Sequence, residues 1–154
     1  MYNQEIFKLE KYKYILARKQ SLNEATFKIT AIYQVAIAAL GLAQYNVIAM
    51  LKADSIIFEV AKLFSLCIIV MLSILTVLIV ALLVGGILAW LKYRRDESEI
   101  EQDVFGTPRL PVKFTSILTW YETYIAITVL VVFSLCLWAY FEKLGPLLSL
   151  LAGR

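Results

Sequence analysis

No histidine occurs among the 154 residues, and that absence excludes more function classes than any motif present. His-ligated haem, His-based catalytic triads and the usual catalytic zinc spheres all need imidazole as ligand or base. Cysteine is nearly as scarce. Cys67 and Cys136 are too few for an iron–sulfur or structural zinc centre, and both fall within apolar runs, where a thiol behaves as a small hydrophobe. Phosphate loops are missing too: neither GxxxxGK[ST] nor GxGxxG occurs, and Gly85-Gly86 is the one glycine pair. The acidic stretch Asp96–Asp103 lacks the ligand spacing and central glycine of a calcium loop and reads as a solvated helix. No catalytic, cofactor-binding or metal-binding set emerges, so a non-enzymatic protein without cofactors is expected. Formal net charge is only +3 and no basic block is interleaved with aromatics, so nucleic acid is not an expected partner.

Long stretches also lack charge. Leu63–Leu91 runs 29 residues without one charged side chain, between Lys62 and Lys92. At about 1.5 Å per residue this is roughly 44 Å, more than the ~30 Å hydrocarbon core of a bilayer. Two further runs flank it. Ile29–Leu51 lies between Lys28 and Lys52, and Thr123–Phe141 has Trp120, Tyr121 and Tyr124 at one end and Trp138, Tyr140 and Phe141 at the other. Aromatics at both ends mark two membrane interfaces, giving a third span over 119–141. Hydrophobic residues make up 61% of the chain and mean hydropathy is +0.76. The expected fold is all-α: one polytopic membrane domain over 1–154, with three transmembrane helices and an N-terminal cytoplasmic or interfacial helix.

Glycine and proline are absent from Met1 to Leu40, so a helix over 4–28 is expected to run unbroken into the first span at 29–51. Its apolar members Ile6, Leu9, Tyr12, Ile15, Leu16 and Leu22 follow a 3.6-residue period only roughly, which suits either an inner-leaflet position or a partner helix. No short apolar region with a small-residue cleavage site opens the chain, so the first span is expected to persist. Residues 52–60 form a short connection. The second span, 63–91, should continue as a polar helix to about 104 and end at FGTPRLP. With Trp90 and Tyr93 as inner-interface anchors, its hydrocarbon part would be Ile69–Ala89, leaving Leu63–Ile68 in the outer headgroups or against another chain. Residues 142–154 form a short tail, broken at Gly145-Pro146 and too short to span. Lys and Arg number eleven before the first span and after the second, against four on the other side. This bias predicts a cytoplasmic N-terminus and an outside C-terminus, in the inner membrane of a bacterium.

Within the first span, Gln34, Ala38, Gly41 and Tyr45 fall within about 60° of one another at 100° per residue, with Gln44 at the edge. Lipid would leave the amides unpaired, whereas another helix offers them partners and approaches closely at small residues. That face is expected to meet protein, and Gly85 and Gly86 permit a bend or a second close crossing. Ser65, Ser73 and Thr76 are expected to bond back to their own helix carbonyls. Carriers normally hold an ionisable residue at mid-membrane, and no span carries one. Glu122, between Tyr121 and Tyr124, comes closest and is a candidate gating carboxylate, although a headgroup-level position explains it more simply.

The segment ILARKQSLNEATFKITAIYQVAIAAL, Ile15–Leu40, resembles the start of SLATT-type membrane effector domains of bacterial conflict systems. There a basic and aromatic helix leads directly into the spans. The resemblance implies an effector that assembles and perturbs the membrane, as in antiviral defence, with the lipid bilayer, further copies of the chain and a cytoplasmic protein as partners. An accessory subunit that anchors or regulates a larger complex is the alternative.

Overall fold

The run without glycine or proline at the N-terminus has the consequence expected of it. In the computed structural model, which describes residues 2–106, 117 and 120–152, helix α1 extends without interruption over Tyr2–Lys52. Its end is set by the backbone rather than by a breaker residue. Ser55 N–H reaches Met50 C=O at 2.9 Å and Asp54 N–H reaches Leu51 C=O at 3.1 Å, a Schellman pair that satisfies the last carbonyls. Asp54 supplies the left-handed residue this motif needs, at φ 53°, a conformation Asp tolerates better than most side chains.

Helix α2 spans Phe58–Phe105, so the apolar run and the charged stretch after it form one helix, as the lack of breakers predicts. Gly106 stops it at φ 68°, its N–H bonded to Gln102 C=O at 3.0 Å. The expected turn at FGTPRLP otherwise lies outside the described residues. Helix α3 spans Tyr121–Ala139, a π-helix follows over Tyr140–Leu144, and α4 covers Gly145–Ala152. Among the described residues there is no strand, and three helices are long and apolar enough to cross a membrane.

The break expected at Gly145-Pro146 does not occur. Proline has no N–H, and in an α-helix its ring presses on the carbonyl four residues back, here Glu142. The π-helix widens the turn just before it, with Gly145 N–H bonded to Tyr140 C=O five residues earlier, and the chain continues helically through Pro146. Residues 142–152 are therefore a continuation of the third helix rather than a tail.

The chain forms two compact units. Unit 1 comprises Met1–Ile29 with Ala81–Tyr124, and unit 2 comprises Thr30–Val80 with Ile125–Arg154. In unit 1 the N-terminal part of α1 and the C-terminal part of α2 run antiparallel. Lys8 pairs with Asp103 at 3.1 Å and Lys19 with Glu97 at 2.7 Å, while Ile15, Leu83 and Ile100 are buried. Of the apolar residues expected to form a stripe, Ile15 is buried, Tyr12 and Leu22 are half-buried, and Ile6, Leu9 and Leu16 are exposed. The partner of this helix is thus the acidic stretch of α2. Asp96–Asp103 is not simply a solvated face, because opposite charges on facing helices neutralise one another where they pack.

Unit 2 brings together three helical segments. Its core cluster is Val47, Leu51, Ala61 and Leu148, with Ile68 and Leu144 packed against it. Within Leu63–Ile68, Ser65 is 1% exposed and bonded by Gln44 of α1, while Leu63, Phe64 and Leu66 are exposed. At the other end of the second apolar run, Trp90 belongs to unit 1 and is engaged by Lys19 and Arg94.

Candidate functional site

In unit 1, the Lys19 ammonium is held from two sides. It donates to Glu97 at 2.7 Å and sits 4.7 Å from the centre of the Trp90 ring, which also takes the Arg94 guanidinium at 5.4 Å and the edge of Trp120 at 4.3 Å. The Glu97 side chain is 3% exposed and that of Lys19 16%, so this pair is largely out of water. Arg18 lies on the outer face, where its Nε donates to the Tyr14 hydroxyl at 3.0 Å, a contact that raises its pKa further and leaves it cationic throughout. Phe27 stacks on Tyr121 at 5.5 Å, and Glu122 beside it is half-buried, interacting with the Tyr121 hydroxyl.

Unit 2 uses hydroxyls and amides where unit 1 uses charge. Thr76 donates its only hydroxyl proton to Leu72 C=O at 2.8 Å, so Tyr33 must be the donor in the buried 3.1 Å contact between their oxygens. Tyr33 is 3% exposed and Thr76 2%. Ser73 bonds back to Ile69 C=O as expected, but Ser65 instead accepts from the Gln44 amide at 2.9 Å.

The face expected to meet protein therefore divides. Gln44, at its edge, turns inward to Ser65, along with Tyr33, Val47 and Leu51 on the same side of α1. Gln34, Ala38, Gly41 and Tyr45 are exposed, and Gln34 has no partner among the described residues. A Cβ added at Gly41, Gly85 or Gly86 would meet nothing within 4 Å. Among the described residues, then, no helix crosses closely at any of these glycines.

An open groove of about 380 Å³ lies in unit 2, within the ~300–1,000 Å³ common for ligand pockets. Gly41, Gln44, Ser65, Leu72, Cys136 and Lys143 are among its lining residues. Lys143 was not legible as a site residue, because a span ending at Phe141 would leave it in the outer interface. In the structure it shares a groove with Gln44 and Ser65, while Leu148, one turn further on, packs with Leu51. The seven residues from Gln44 to Leu51 rise roughly 10 Å. An exposed ionisable side chain thus borders the groove of unit 2, its Nζ 5.8 Å from the centre of the Trp138 ring. Nothing in local composition signals this, since only the π-helix carries the third helix past Phe141.

No group of three or more metal-ligating side chains occurs among the described residues. Comparison with protein-family models, with curated proteins and with solved structures finds no match to the chain.

Proposed function

We propose that this chain is a three-span membrane protein that self-associates through α1 and works as a membrane effector or pore-like assembly, with the helical stretches 4–28 and 92–104 as its cytoplasmic handles. The observation that carries the reading is Gln34. It lies exposed on an apolar helix of unit 2, and no group among the described residues bonds to it. An amide facing hydrocarbon is unfavourable, and it carries both donor and acceptor, so Gln34 of a second copy satisfies it. The neighbouring Ala38 and Gly41 permit the close backbone approach such a pair needs. Charge supports the orientation: the 11 to 4 distribution of Lys and Arg favours a cytoplasmic position for residues 1–28 and for the stretch after the second span.

Gly41→Ile places a branched side chain on that face and is expected to shift the chain from oligomer to monomer in mild detergent and to abolish ion leak from liposomes. An oligomer of unchanged size would remove the proposed face. A second reading, an accessory subunit of a larger complex, is favoured by a groove of about 560 Å³ in unit 1 lined by Leu9, Tyr12, Ile100 and Val104. Recovery of a monomer only together with a different protein would favour that alternative.

A further inference from the structure

We propose that the groove of unit 2 holds one acyl chain of an acidic phospholipid, with the Lys143 ammonium on its phosphate. The inference rests on the membrane reading above and is independent of self-association. Its first support is the distribution of charge. Lys143 is the one charged residue that lines the groove among the described residues, and no carboxylate does. Glu142 is exposed on the same turn but does not line it. The remaining wall is apolar apart from Tyr140 and the Gln44–Ser65 pair, whose hydrogen bond spends the amide proton facing Ser65. A cation at one end of an apolar channel matches an anionic headgroup on a hydrocarbon tail. Free phosphate would make no use of the apolar wall, and a zwitterionic lipid, whose phosphate is already balanced by its own choline, would gain less from the lysine.

The second support is how the groove is built. Tyr140, Lys143 and Leu144 reach it from the π-helix, an element that is rare and is frequently found at functional sites. Opposite them, Gly41 leaves open space where any other side chain would project. A neighbouring copy of this chain fits less well, because its apolar helices would leave Lys143 without a counter-charge unless Glu142 of that copy reached it.

The test uses the full chain in nanodiscs of equal phosphatidylglycerol and phosphatidylcholine, with native mass spectrometry reading the lipids that stay bound. Phosphatidylglycerol should be retained over phosphatidylcholine by about fivefold, the scale of one lysine beside an acidic membrane surface. Lys143→Gln should bring the two lipids to parity, whereas Lys52→Gln should keep the preference. Cys136→Phe, which fills the groove, should lose both lipids. If its helicity falls, Lys143→Gln carries the test alone, since that side chain is exposed. Equal retention of the two lipids by the unaltered chain overturns the proposal, as does a preference that survives Lys143→Gln. So does an oligomer that Cys136→Phe disperses while lipid retention stays the same, which would put a second copy in the groove. A chain absent from the membrane fraction would instead refute the membrane reading itself.

Discussion

The same two helices, α1 and α2, are paired twice in this molecule, and by different chemistry each time. In unit 1 the contacts are ionic: Lys8 with Asp103, and Lys19 with Glu97 under the Trp90 ring. In unit 2 the helices meet through Tyr33 and Thr76, through Gln44 and Ser65, and through the small side chain of Ala61, which is fully buried. Water makes the first arrangement workable, because exposed members of an ion-pair row keep their hydration. A hydrocarbon surround favours the second, in which neutral groups satisfy one another and no ion loses its solvent. The chain therefore changes its pairing chemistry near Ile29 and Ala81, where the two units divide.

The contrast is open to attack at each unit in turn. Glu97→Ala should have the largest effect, because it strands the Lys19 ammonium in a mostly dry position. A loss of about 3 kcal/mol is expected, the lower end for breaking a buried pair, since Lys19 retains some access to water. Hydrogen exchange should report this as faster exchange across 6–26 and 92–104 with 33–51 unchanged. Glu97→Gln should recover part of the loss by keeping an acceptor. Equal acceleration in both units would mean that they do not behave separately.

Tyr33→Phe should cost less, about 0.6 kcal/mol and at most about 1.7, the range for interhelical hydrogen bonds in lipid. Its signature is exchange confined to unit 2. Smallest of all is Asp103→Ala. The Lys8–Asp103 side chains are 40% and 63% exposed, so the change should stay below about 0.5 kcal/mol and vanish at high salt. A large, salt-independent effect there would contradict the account of unit 1 as a solvated, locally dry hairpin.

The helices themselves were legible in the sequence because little interrupts them: no glycine or proline precedes Leu40, no proline separates Leu63 from Phe105, and no glycine separates Lys92 from Phe105. The three helices long and apolar enough to cross a membrane followed from charge-free runs. What periodicity at one residue per 100° did not reveal was which side of α1 its own partners occupy. Gln34 and Gln44 stand only 80° apart on a helical wheel, yet one bonds Ser65 and the other faces outward. Nor did composition reveal that Lys19 meets Glu97, a pairing across 78 positions that depends on where the hairpin turns. The continuation past Pro146 was hidden for a third reason. A proline reads as a stop unless the preceding turn widens, and that widening has no sequence marker of its own.

The proposed function requires that the apolar runs cross the bilayer while residues 4–28 and 92–104 stay in the cytoplasm. Its most direct test is labelling of single cysteines, introduced as Asp54→Cys and Gln102→Cys after Cys67→Ala and Cys136→Ala, with a membrane-impermeant maleimide in intact cells. The account predicts that position 54 reacts at once and position 102 only after the membrane is opened. Reaction at 102 in intact cells, or protection at 54, would contradict it.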